Sequence, residues 1–353
     1  METKRISIEE LEKQDSLWDE VGKLLQDGKL VAFPTETVYG LGANGLDENA
    51  AKKIYEAKGR PSDNPLILHV SSIEMVSQIA ENIGKNAYRL MEHFWPGPLT
   101  IVLPKKEIVP YGTTGGLDTV AVRFPSNRIA RRLIQSAGVP IAAPSANLSG
   151  RPSPTKAEHV LQDLDGKIDC VIEGGNVGIG IESTIVDMTS DIPMILRPGY
   201  ITKEMIEEVL QIEVKVDPAI LQKDGMKGVR PKAPGMKYKH YAPKGELTVV
   251  LGKSEENVVN TIVQLVNEKI GFGYRVGIIA TEETAKRYTS GIVKVIGSRK
   301  NPITISANLY GILREFDEEE VEFIYSEGME QENFGEAIMN RLLKAAGYQV
   351  IQV

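Results

Sequence analysis

Residues 47–70 read DENAAKKIYEAKGRPSDNPLILHV and contain three kinds of segment. Asp47 is placed to cap a helix and Gly59 to end it in the left-handed conformation. The apolar run LILHV has the character of a buried strand. Between them Lys58, Arg60, Ser62, Asp63 and Asn64 crowd into seven positions, stiffened by Pro61 and Pro65. A cation at a helix C-terminus meets the dipole favourably, which accounts for Lys58. It does not account for Arg60, Ser62 and Asn64, which a rigid loop holds ready for an anion.

The same alternation runs outward through the first 210 residues or so. LWDEVGKLLQDG places Leu17, Val21, Leu24 and Leu25 on one helical face, with Gly28 as the stop, and LVAF is a short strand ended by Pro34. SSIEMVSQIAENI and KNAYRLMEHFW have helical spacing, and PLTIVLP and TVAVRFP are strands. SNRIARRLIQSAG is a helix with Ser126 as the expected cap. TKAEHVLQDL is another, opened by an expected Thr155–Glu158 capping box. CVIEGG, STIVDM and MILRPG are the last strands, and a helix after Thr202 follows them. The fold class is α/β, a sheet covered by helices.

Composition shifts near residue 212. VDPAILQKDGMKGVRPKAPGMKYKHYAPKGE is rich in Pro, Gly and Lys and poor in periodic apolar positions. The expected organisation is therefore a first domain at 1–211, a linker at 212–245 and a second domain at 246–353. ELTVVLG, RVGIIAT, VKVIGS and VEFIYSEG, with helices between them, form a smaller, mostly parallel Rossmann-like layer.

Composition also excludes whole classes. A net charge of −7 argues against a large nucleic-acid-binding face. The opening METKRISIEELEKQDS has no apolar core of a signal peptide, and no run of 18 apolar residues is present. Cys170 is the one cysteine, which rules out an internal disulfide and a multi-cysteine metal site; within IDCVI it reads as a buried thiol. A cytoplasmic protein fits these features. The usual nucleotide signatures and H-E-x-x-H are missing, and GNVGIG leads into a strand rather than a helix.

What remains is a set of polar clusters at strand ends, where α/β sheets place ligands. FPTETVYGLG brings out Thr35, Glu36 and Thr37 where Pro34 stops a strand, either as a tight turn or as a site. In TVAVRF, alternation puts Arg123 beside Ala121, and a cation in an apolar strand needs a partner or a ligand. APSANLSGRPSP carries Ser145, Asn147, Ser149, Arg151 and Ser153, and ILRPG ends a strand on Arg197. Together they point to a small anionic ligand.

KGRPSDNPL and PSAN, with FPTETVYGLG, WPGPLT and ESTIVD in this order, resemble the signature of the YrdC/Sua5 family. KYKHYAP and the second α/β domain resemble its long, two-domain Sua5 form, so the likeness covers nearly the whole chain. It implies a twisted, open α/β sheet around a large concave cavity and the synthesis of threonylcarbamoyl-AMP. L-threonine, bicarbonate or CO2, and ATP are the implied substrates, with Mg2+ accompanying ATP and pyrophosphate released. The product serves the t6A modification at position 37 of tRNAs reading codons that begin with A, through a separate transferase. The resemblance leaves RNA binding possible but not required, and it implies no membrane.

Carried onto this sequence, the resemblance makes Lys58 and Arg60 the catalytic cations on the triphosphate. Ser62, Thr119, Ser145, Asn147, Ser153 and Arg197 become further ATP contacts, with His240 and Tyr241 reaching the nucleotide from a lid. Arg123 pairs with the threonine carboxylate, and Thr35, His69, Ala143 and Ser183 complete that pocket. No residue is implied as a metal ligand. His69 is either a general base or a residue that orients the ligand, and the 212–245 segment is either a lid or a tether. Rival readings are an RNA-binding module, carbamoyl transfer from carbamoyl phosphate and sugar-phosphate chemistry. Each lacks a feature it needs: aromatic stacking clusters, the zinc-finger segments that accompany such carbamoyl transferases, or an acidic metal cluster.

Overall fold

A computed structural model of the protein describes residues 2–220, 241–329 and 332–353. The chain forms two compact units, one on an eleven-stranded sheet and one on a five-stranded sheet.

In the first unit the helix Glu48–Lys58 begins at Asp47, whose carboxylate accepts from the Asn49 N–H at 2.9 Å, and ends at Gly59 with φ of 60°. Its buried face, Ala50, Ala51, Ile54 and Tyr55, packs on the strand Tyr39–Asn44. The polar loop then leads to the strand Ile67–His69. The helix Ser16–Gln26 buries Trp18, Val21, Gly22 and Leu25, whereas Leu17 and Leu24 are only half-buried. The stripe turns toward Gly22 because a Cβ there would meet the Ser136 carbonyl at 2.6 Å. Only glycine lets the helix Arg128–Ala137 come so close.

Two expected caps lie elsewhere. Asn127, not Ser126, caps Arg128–Ala137, its amide oxygen accepting from the N–H groups of Ile129 and Ala130 at 2.8 and 3.3 Å. The helix Ala157–Leu164 starts from Lys156 with no side-chain cap, because Thr155 instead donates its N–H to His159 Nδ1 at 3.2 Å. The polar opening of the chain is structured too. Lys4–Ser7 pairs in parallel with Cys170–Glu173, and Ser7 and Glu10 form a reciprocal capping box on the helix Ile8–Lys13. Cys170 is fully buried, which pushes its thiol up to about 12.

The sheet is mixed, and its register decides the site. His69 pairs with Ile141 on one side and with Arg123 on the other. Arg123 pairs with Thr100, Thr100 with Ile185, and Ile185 with Arg197 after a register shift. Polar residues far apart in sequence thus lie in one row across five neighbouring strands. Beneath them Leu68, Ile101, Val120 and Val122 enter the main core, the alternation expected of TVAVRF. The stretch expected to be linker begins with an edge strand, Lys215–Val216, paired in parallel with Met194–Ile195. Residues 221–240, which include His240, lie outside the described residues.

The second unit is all parallel. Glu246–Leu251, Val276–Thr281, Ile292–Gly297, Phe323–Glu327 and Val350–Gln352 stand in the spatial order third, second, fourth, first, fifth. The short fifth strand, in QVIQV, lies at the sheet edge and carries no periodic signal long enough to read. The helices Glu255–Gly271, Pro302–Glu318 and Phe334–Ala345 link the strands, as parallel pairing requires. Here the Tyr241 ring stacks on Tyr310, with centroids 5.1 Å apart.

Candidate active site

Pro34 ends its strand and the next residues fold back. The Thr35 hydroxyl donates to the Val38 carbonyl at 2.6 Å and accepts from the N–H groups of Thr37 and Val38. It closes a turn, so Glu36 and Thr37 are the side chains that meet Arg123. Nη1 of Arg123 donates to Thr37 Oγ1 at 2.9 Å, and Nε makes a long 3.4 Å bond to the Gly97 carbonyl. Nη2 lies 2.7 Å from Glu36 Oε1 in an ion pair, and the backbone N–H groups of Glu36 and Ser126 also serve that carboxylate. Burial pushes the Glu36 carboxyl up, but the adjacent guanidinium outweighs it and holds the group below the ordinary carboxylate value. Gly97 belongs to WPGPLT, which thus meets the arginine.

His69 is Arg123's neighbour in the row. Its Nδ1 faces the Ile67 carbonyl at 3.2 Å, and a carbonyl only accepts, so the proton sits on Nδ1; the Ile141 backbone is a second partner of the ring. Burial first, and the Arg123 charge second, lower its pKa to about 3. The imidazole is therefore neutral at pH 7, which fits a ligand-orienting residue better than a proton donor. The folded state resists protonating His69 while the unfolded chain takes up that proton near 6.5, so stability falls as pH drops from about 6.5 toward about 3. His69→Gln should flatten this slope by up to about 1.4 kcal/mol per pH unit, measured by urea unfolding at pH 7, 6 and 5. An unchanged slope would remove His69 as its source.

Further along the row, Ser183 Oγ lies 2.8 Å from Thr100 Oγ1, and Arg197 donates to the Ser183 carbonyl and hydroxyl at 3.0 and 3.1 Å. Arg197, expected on the nucleotide side, also holds Ser183. Ala143 is buried and donates its N–H at 2.9 Å to the Ile67 carbonyl, the same one that orients His69.

Of the remaining candidates, Lys58, Ser145 and Asn147 come together, and the others stand apart from them. The ammonium of Lys58, 2% exposed, donates to the Ser145 carbonyl at 2.6 Å and to the Asn147 carbonyl, tying the end of its helix to the PSAN loop. Within that loop Ser145 donates to Asn147 Oδ1 at 2.6 Å, and Asn147 donates to the Leu148 carbonyl at 2.8 Å. Ser153 donates to Glu182 Oε1 at 2.6 Å. Arg60 instead bonds the Asn64 and Pro65 carbonyls, and with Ser62 and Tyr55 it lines a cavity of about 740 Å³. None of the other candidates lines that cavity. Thr119 opens the strand that ends in Arg123, on the same face and about 13 Å away along it. Glu36, Thr37 and Thr100 are site residues that sequence reasoning did not assign. The TET cluster exposed the first two, but nothing local connects Thr100 to Ser183.

The α/β sheet thus presents a buried arginine with hydroxyl and imidazole neighbours, and beside it stands a lysine-anchored polar loop. Residues 23–199 match the Sua5/YciO/YrdC family model, described as telomere recombination, and residues 201–347 match the threonylcarbamoyl-AMP synthase C-terminal domain. The chain belongs to the Sua5/YrdC family. It is 50% identical over 329 residues to the threonylcarbamoyl-AMP synthase of Pyrococcus abyssi, spanning 93% of this chain and 94% of that one. The enzyme of the same name from Bacillus subtilis is 48% identical over 100% of both chains. The crystal structure of P. abyssi Sua5 complexed with L-threonine superposes with a TM-score of 0.91 at 46% identity, again over 100% of both chains.

Proposed function

We propose that the chain is an L-threonylcarbamoyladenylate synthase, and that its two groups of side chains are the two ends of one substrate site. The threonine amine captures CO2 or bicarbonate as a carbamate. A carbamate oxygen attacks the α-phosphorus of ATP, and pyrophosphate leaves. Such a transfer needs positioning and charge neutralisation more than a protein nucleophile. The observation that carries the reading is the buried Arg123, flanked by His69 and Thr100 in register, at the end of a strand whose other end holds Thr119. That span suits an aminoacyl-type adenylate.

In this reading Arg123 receives the threonine carboxylate, with His69, Thr35, Ala143 and Ser183 around it. Lys58 and Arg60 neutralise the triphosphate, while Ser62, Thr119, Ser145, Asn147, Ser153 and Arg197 bind the nucleotide. Among the described residues no group of three His, Cys, Asp or Glu could hold a metal ion. Mg2+ enters on the phosphates of ATP, where it offsets their charge. We assign catalysis to residues 1–211, the connection to 212–245 and the second domain to 246–353. The product passes to a separate t6A transferase in the cytoplasm. No described helix is long and apolar enough to cross a membrane.

Pyrophosphate release from ATP, Mg2+ and bicarbonate, with L-threonine added or left out, tests the proposal. Release that needs both threonine and bicarbonate is the expected outcome. Release independent of threonine, or none at all, would overturn it.

A further inference from the structure

Thr100 stands in the strand Leu99–Pro104, whose Leu99, Ile101 and Leu103 enter the main core. It is 0% exposed, and across the sheet it pairs with Arg123 on one side and Ile185 on the other. Valine has nearly the same shape, so packing alone gives no reason for a hydroxyl here. Burying one is costly unless its proton is used. Among the described residues its one side-chain hydrogen bond is with Ser183, the two oxygens lying 2.8 Å apart.

Donor counting gives that bond its direction. A hydroxyl carries one proton and two acceptor lone pairs. Ser183 already accepts from Arg197 Nη2 at 3.1 Å, and a guanidinium only donates. Were Ser183 to donate to Thr100, the Thr100 proton would be stranded where no solvent reaches it. When Thr100 donates instead, both lone pairs of Ser183 are filled and the Ser183 proton is the one left over. We propose that Thr100 is a positioning residue for threonine: with Arg197 it fills the lone pairs of Ser183 and fixes that hydroxyl as a donor to an acceptor oxygen of the substrate. With a substrate oxygen in place, this arrangement uses every proton of the Thr100–Ser183 pair. The inference rests on the proposed function, which puts Ser183 in the threonine pocket. Thr100 acts through Ser183 and needs no contact with the substrate.

The test is calorimetric titration of the full chain with L-threonine, comparing wild type, Thr100→Val, Ser183→Ala and the double variant. Thr100→Val should weaken threonine by about 3- to 10-fold, the effect of one misdirected hydrogen bond. In the Ser183→Ala background the same change should cost less than about twofold, since no hydroxyl remains for Thr100 to orient. Thr100→Ser keeps the donor and should bind within about twofold of the wild type. A Thr100 that only supports packing would give the same loss with or without the Ser183 hydroxyl. That result, or wild-type affinity in Thr100→Val, would overturn the proposal, and so would a Thr100→Ser protein as weak as Thr100→Val. If Thr100→Val does not fold, Thr100→Ala takes its place in the cycle with the same expected outcomes. Wild-type protein that binds no threonine at all removes the proposed function as well, an outcome distinct from the others.

Discussion

Arg123→Ala should lower threonine-dependent pyrophosphate release by at least about a thousandfold and reduce stability by about 3–5 kcal/mol. The two losses have different origins. Activity falls because the substrate carboxylate loses its fork of N–H donors. Stability falls because Glu36 is left as an uncompensated buried charge, with Thr37 Oγ1 and the Gly97 carbonyl deprived of their donor. Arg123→Lys should rescue little, since an ammonium cannot serve Thr37, Gly97 and Glu36 from three directions at once. The double change Arg123→Ala with Glu36→Ala separates the two effects: urea unfolding should recover most of the lost stability while activity stays absent. An Arg123→Ala enzyme whose KM for threonine lies within about threefold of wild type would remove Arg123 from the substrate site.

The second large effect is expected at Lys58. Its ammonium holds two carbonyls of the PSAN loop, so Lys58→Met removes a charge and releases the loop together. We expect kcat/KM for ATP to fall by about 10²–10³, the magnitude typical of losing one preorganised charge-stabilising donor. Stability should drop by about 1–3 kcal/mol as the carbonyls lose their donor in a buried place. Threonine affinity, read by calorimetry without ATP, should be unchanged, because the Lys58 ammonium holds the PSAN loop. Unaltered ATP kinetics would show that Lys58 is only a loop anchor.

Arg60 lies two residues beyond Lys58 and is a different kind of cation. Its guanidinium bonds carbonyls of its own loop, those of Asn64 and Pro65, and lines an open cavity. The K-x-R spacing marks both residues, but it does not say that one is buried in a neighbouring loop while the other faces outward. The helix end separates them: Lys58 is still on the last turn and points inward, whereas Arg60 follows the left-handed Gly59.

Several parts of this protein are legible from sequence for a local reason. Asp47, Gly59, the LILHV strand and the alternation of TVAVRF involve interactions a few residues apart, so composition and period are enough to predict them. The capping box of Ser7 and Glu10 carries the same kind of signal in a stretch that otherwise reads as plain polar sequence. Local rules also misplace features where a tertiary neighbour competes. Thr155 engages His159 instead of capping, and Asn127 outcompetes Ser126 because its longer side chain reaches two N–H groups. The family motifs extend this legibility to the reaction, since each occupies a short window.

By itself, then, the sequence determined the α/β class, the alternation of helix and strand, the places where polar clusters emerge and the family to which they belong. The tertiary structure decided which clusters face each other. Thr37 and Arg123 are 86 residues apart, and Thr100 and Ser183 are 83 apart. Their contacts follow from the pairing of His69 with Arg123, Arg123 with Thr100 and Thr100 with Ile185. The physical reason is register. A strand's own pattern sets which face a side chain occupies, but its partner across the ladder depends on a shift along the neighbouring strand, and a slip of one residue would turn Arg123 away from Glu36.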